Sequence, residues 1–205
     1  MRDPLSLGVM AAAAWALLGL LFLRTQMKAY GQRRLHSAPA GDPKAGVRYA
    51  FTKAMNPMAK ESVRENLPSY AAGMAYHGGL SAALALLVMA LLGGSLPAPL
   101  IWPSRALLVI GVGGGLALLL KRALKAELRG LSHPDDYVSN LLTTAFVALA
   151  LVGSTRLWLL SAILLLLYLP LGKIRHCFFF FSTRAAFGAF FGRRGVFPTG
   201  SARVR

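Results

Sequence analysis

Acidic residues are scarce in this chain: seven Asp and Glu stand against 23 Lys and Arg. None of the seven falls inside the five long apolar runs Leu5–Leu23, Tyr70–Leu92, Ala106–Leu120, Val138–Val152 and Leu157–Leu171. Coupled carriers usually need an ionisable group within the membrane, so this absence argues against a small transporter or channel. Cysteine is nearly missing as well. The single Cys177 allows no disulfide framework, no iron–sulfur cluster ligated by this chain alone and no C-x-x-C-H covalent haem attachment. Beside His176 it reads as a packing residue rather than a thiolate. Charge as a whole is thin, 15% against 56% hydrophobic residues, where a soluble domain has about 25% charged and roughly 45–50% apolar. No large soluble domain fits in what remains.

The apolar runs make up most of what is present. A spanning helix needs about 20 residues, so the three shorter runs must recruit flanking residues such as Trp102, Tyr137 or Phe178–Phe181. The chain therefore reads as all-α, a polytopic membrane protein with a five-transmembrane-helix bundle. One membrane domain covers residues 1–205, with spans at about 5–23, 70–92, 102–120, 137–153 and 157–182. A cytoplasmic loop at 24–69 and a cytoplasmic tail at 183–205 complete it. The first run is long, and Arg24 and Gln26 follow it where a signal peptide would show small residues; it reads as a retained helix.

Basic residues are unevenly shared between the runs. Segment 24–67 holds nine Lys/Arg against three acids, 121–137 four against three, and 173–205 seven against none. Only Arg2, Arg105 and Arg156 lie elsewhere. By the positive-inside rule the amino terminus is outside and the carboxyl terminus cytoplasmic, in a prokaryotic cytoplasmic membrane. The net charge of +16 then reflects orientation and lipid-headgroup contact, not nucleic acid. The external loop GGSLPAPLIWPS, with Pro97, Pro99 and Pro103, reads as a connector. The basic loop, long and proline-punctuated, has the length of a docking surface or a disordered segment.

Two of the four histidines lie near apolar runs. His77 is seven residues into the second, roughly 10 Å deep at 1.5 Å per residue. His176 lies near the cytoplasmic end of the fifth, about equally deep if that helix continues to Ser182 or Thr183. Two imidazoles at one depth on different helices can hold one haem iron between them. His77 has Gly73 one turn before it, Gly78 and Gly79 directly after and Ser81 one turn on; His176 has Gly172 one turn before. Small residues on a shared face leave room for a flat macrocycle, and Lys173 and Arg175 suit its anionic propionates. The competing reading is equally physical. Small residues mediate helix contacts in membranes, Lys and Arg snorkel to headgroups, and a lone histidine can bond a carbonyl. His36 and His133 read as ordinary loop histidines. Asp135 and Asp136 read as the start of the fourth span, behind Pro134.

The stretches YHGGLSAALALL on the second run, PLGKIRHCF on the fifth and RGLSHPDDYVSNLLTTAFVALALVG between the third and fourth resemble one family. It is the cytochrome b (gamma) subunit of respiratory nitrate reductase, with the membrane subunits of heterodisulfide-reductase-like and dissimilatory sulfite-reduction complexes. The resemblance covers most of the chain and implies a bundle holding haem b, with His77 and His176 as axial ligands to the haem iron. It departs where two-haem members carry further histidines: the corresponding places, near Leu87 and Trp158, have none. One haem on the cytoplasmic side is therefore expected, and quinone, if bound here, near Lys173 or Arg175.

The resemblance implies a haem b membrane subunit of a respiratory redox complex. It would transfer electrons between the menaquinone pool and an iron–sulfur partner subunit on the cytoplasmic face. The basic loop and the tail GAFFGRRGVFPTGSARVR would dock that partner. No complete catalytic site of its own is expected, so the terminal reaction belongs to another chain. The alternative is a haem-free membrane anchor or assembly subunit for a cytoplasmic redox enzyme.

Overall fold

The computed structural model describes residues 3–30 and 36–197. Arg2, Arg33 and Arg34, and the tail beyond Phe197, lie outside the described residues. The elements are α1 (Pro4–Tyr30), α2 (Pro43–Phe51), α3 (Glu61–Arg64), α4 (Leu67–Leu91), α5 (Ala98–Leu124), α6 (Ala126–Gly130), α7 (Pro134–Val152), α8 (Thr155–Tyr168) and α9 (His176–Arg193). Single 3-10 turns lie at Lys53–Met55, Pro57–Ala59 and Lys173–Arg175. No strand occurs among the described residues.

Among the described residues four helices are long and apolar enough to cross a membrane: Pro4–Ala29, Leu67–Leu91, Ala98–Leu124 and Pro134–Val152. They coincide with the first four expected spans. The fifth differs. A single helix over 157–182 was expected, but α8 stops at Tyr168 and α9 restarts at His176. Only the broken pair together would make a fifth crossing. Pro170 contributes to the break: it has no N–H to donate to the helical ladder, and its ring crowds the preceding turn. His176 thus opens a helix instead of lying within one.

The chain packs as two compact units. The first comprises Met1–Leu21 and Leu67–Ile174, the second Phe22–Asn66 and Arg175–Arg205. In the first, α4 and α5 run antiparallel through a glycine seam. A Cβ on Gly79 would come within 2.6 Å of Gly111 Cα, and one on Gly114 within 3.1 Å of Tyr76 N. Such backbone approach is the usual membrane-helix solution, since lipid supplies no hydrophobic drive between helices. The core is Val9, Ala83, Leu87, Leu108, Phe146, Val147, Leu159, Ala162 and Leu165. Many large residues on the same helices face outward, among them Leu84, Val88, Val109, Ile110 and Leu164, as a lipid-facing surface would.

A polar seam runs beside this core. Tyr76 donates to the Asn140 carbonyl at 3.0 Å, and the Thr144 hydroxyl lies 3.1 Å from both Tyr76 Oη and Asn140 Oδ1. Asn140 Nδ2 donates to Gly115 O at 3.3 Å. Gly115 is required there, because a Cβ would sit 2.5 Å from Thr144 Oγ1. In membranes such bonds contribute about 0.6 to 2 kcal/mol each. Thr144→Val should therefore lower the unfolding midpoint in detergent measurably, by about 1 kcal/mol of stability.

In the second unit α2 lies on α9 through glycine again. A Cβ on Gly192 would be 2.7 Å from Gly46 Cα, and one on Gly188 2.7 Å from Val47 Cα. Asp42 caps α2, accepting from Lys44 N at 2.8 Å with Pro43 behind it. Arg184 closes its far end, donating to the Ala50 and Ala54 carbonyls at 2.7 and 3.0 Å.

Candidate functional site

His77 stands on an exposed face of α4, opposite the glycine seam. Its Nδ1 lies 2.7 Å from the Gly73 carbonyl, one turn earlier. A carbonyl can only accept, so Nδ1 is the donor in this bond. A backbone carbonyl holding one imidazole nitrogen is a common way of orienting a metal-ligating histidine. Gly73 has open space where a Cβ would be, with nothing within 4 Å. The neighbouring glycines serve otherwise: Gly79 makes the α5 contact and Gly78 faces Leu107 at 3.7 Å. Room beside His77 comes from Gly73 alone of the three.

His176, the first residue of α9, is exposed and belongs to the second unit, as does the exposed Arg175. Gly172 and Lys173 belong to the first unit with His77. Gly172 serves a turn: a Cβ there would run into the Tyr168 ring and lie 2.9 Å from Asp135 Oδ1. Lys173 Nζ lies 2.7 Å from Asp136 Oδ2, so its charge already has a carboxylate to answer.

The first unit concentrates its polar groups where α7 begins, and this cluster was read from sequence only as a helix start. Asp135 Oδ1 accepts from Tyr168 Oη at 2.5 Å and Ser139 Oγ at 2.8 Å, and its Oδ2 accepts from Lys173 N at 2.9 Å. Asp136 accepts from His133 N at 2.9 Å, closing the first turn, and Arg122 lies 3.7 Å away. His133 Nδ1 accepts a long bond from Asp135 N at 3.4 Å, so this histidine is a helix cap. Lys121 donates to Ser69, and Arg122 to Ser132 Oγ at 2.9 Å. One signal was available: Asp135, Ser139 and Thr143, and Asp136, Asn140 and Thr144, form two polar stripes at i, i+4, i+8 on one helix.

Asp135 holds the turn after α8 by two bonds, from Tyr168 and Lys173 N, and bonds to a charged group are the stronger kind, about 1.5–3 kcal/mol each. The Lys173 ion pair is different, because the lysine side chain is 53% exposed and exposed pairs are worth about 0.2–1 kcal/mol. Asp135→Asn should therefore destabilise the protein clearly more than Lys173→Gln, by about 2 kcal/mol against less than 1. Thermal unfolding of the two variants in one detergent compares them, and equal midpoints would contradict the ranking.

Near Leu87 and Trp158, the level at which a second haem would need histidines, side chains fill the bundle. Leu87 is 4% exposed, Phe146 is fully buried, and Trp158 stacks on Phe146 with centroids 6.1 Å apart. Comparison with protein-family models, with curated proteins and with solved structures finds no match.

Proposed function

We propose that this chain is a haem b membrane subunit of a redox complex, exchanging electrons between menaquinone and an iron–sulfur protein on the cytoplasmic face. The observation that carries the reading is the His77–Gly73 pair. Its Nδ1 is held by the Gly73 carbonyl, which makes Nε2 the nitrogen proposed to ligate, and there is open space where that glycine lacks a side chain. His176 is the second ligand. A bound haem would supply one-electron redox chemistry; the chain's own residues hold and orient it and set its surroundings. Arg175 opposes propionate charge. Lys173 can do so only by sharing with Asp136, and either it or Arg175 is the candidate quinone contact. The filled level around Phe146 and Trp158 supports one haem rather than two.

The amino terminus is proposed to lie outside, with the second unit on the cytoplasmic side. Among its described residues that unit carries 11 Lys/Arg and three acids, the balance of an acidic partner's dock or an anionic membrane face. The second reading, a haem-free anchor, draws on the same surface and on the Lys173–Asp136 pair, which needs no propionate.

An optical spectrum of the purified protein with haem quantitation separates them. One haem per chain with a b-type reduced-minus-oxidised band is expected. A colourless protein would leave the anchor, and two haems would overturn the single-site assignment.

A further inference from the structure

The second unit contains a cleft of about 250 Å³ whose lining includes Asp42, Arg48, Tyr49, Thr52, Lys53 and Phe197. Its volume lies below the roughly 300–1,000 Å³ of sites for drug-sized ligands. Arg48 and Thr52, and Tyr49 and Lys53, stand one turn apart, so α2 and the turn after it present them together. Gly46 and Ala50 of α2 are buried, and Gly46 also lines the cleft. Among the described residues the salt bridges involve neither Arg48 nor Lys53. The one carboxylate on the cleft, Asp42, is occupied in part by the Lys44 N–H.

Beside the cleft runs an aromatic wall. Tyr49 stacks on Phe197 at 4.7 Å, Phe197 lies 5.8 Å from Phe191, and Phe191 4.6 Å from Phe187. The wall ends in exposed surface, with Phe187 52% and Val196 60% exposed. A soluble anion would use the two cations and leave this apolar rim without purpose. An acidic peptide would leave Asp42 opposed. A phospholipid uses every part.

We propose that this cleft binds one membrane phospholipid. Its phosphodiester lies between the Arg48 guanidinium, which suits phosphate geometry, and the Lys53 ammonium. The headgroup's terminal donor, an ammonium or a hydroxyl, faces Asp42, and the acyl chains lie over Phe187 and Val196. The site tethers the α2–α9 pair to the membrane surface and is independent of whether the chain carries haem.

Native mass spectrometry of the full chain in detergent, delipidated and then given phosphatidylethanolamine or phosphatidylglycerol, reads bound lipid directly. Wild type and Lys60→Gln/Arg64→Gln should retain one phospholipid, while Arg48→Gln/Lys53→Gln should lose about tenfold or more in affinity, as expected when charge-assisted contacts of 1.4 kcal/mol or more are removed. Phe187→Ser keeps both cations and should also weaken binding, which provides a second arm if the double variant misfolds. Equal retention by both double variants, or equal loss, would overturn the site. Full displacement of the lipid by millimolar inorganic phosphate would reassign the cleft to the free anion.

Discussion

His77→Ala and Gly73→Leu should each abolish the reduced-minus-oxidised b-type band, for two separate reasons. The first removes the proposed ligand. The second leaves the ligand and fills the space next to it, where nothing lies within 4 Å of a would-be Cβ. For the polypeptide alone the second change should be harmless or better, since glycine in a helix interior costs about 0.8–1 kcal/mol relative to good helix formers. A variant that is at least as stable as wild type but free of haem would show that the room at Gly73 is used by a ligand. Full haem content in Gly73→Leu would end the role assigned to that glycine, and full content in His77→Ala would end the ligand assignment. His176→Ala tests the second ligand in the same way. His176 is exposed at the start of α9, and the unfolding midpoint of the apoprotein, measured beside the spectrum, separates loss of haem from loss of fold.

Gly79→Leu should be among the most damaging single substitutions in the first unit. An added Cβ would lie 2.6 Å from Gly111 Cα and 2.8 Å from the Leu107 carbonyl. Both are backbone, so no rotamer change can make way, and α4 and α5 must separate along the seam. Overpacking among side chains already costs about 1–3 kcal/mol; a backbone collision belongs at or above the top of that range. Gly78→Ala, one residue earlier, meets only Leu107 Cδ2 at 3.7 Å and should be neutral or slightly stabilising. Thermal aggregation midpoints in detergent compare the two. If Gly79→Leu matched Gly78→Ala, the close α4–α5 approach would be wrong.

The same residue type thus serves opposite purposes within seven positions, and the sequence does not distinguish them. Gly73, Gly78 and Gly79 all suggest room beside His77, yet only Gly73 opens onto space, because the partner helix decides which face of α4 is sealed. Gly172 looked like a neighbour of His176 on one helix. Pro170 ends that helix, and Gly172 instead admits the Tyr168 ring beside Asp135. The proline was visible and is the physical reason the break could have been anticipated; the apolar content on both sides of it concealed the signal.

Composition and patterning by themselves determined that this chain is helical, where its four long apolar helices run and how little charge they carry, because hydropathy over some twenty residues is a local property. The acid at the head of α7 was also visible, but as a cap. Only the tertiary structure decided that Asp135 and Asp136 gather Tyr168, Lys173 and Arg122, that Tyr76 joins Asn140 and Thr144, and that α2 and α9 form a second unit. Those outcomes depend on which helix faces meet. Helix contacts in an apolar setting are chosen by steric fit and by pairing of polar groups, and both are properties of two surfaces at once.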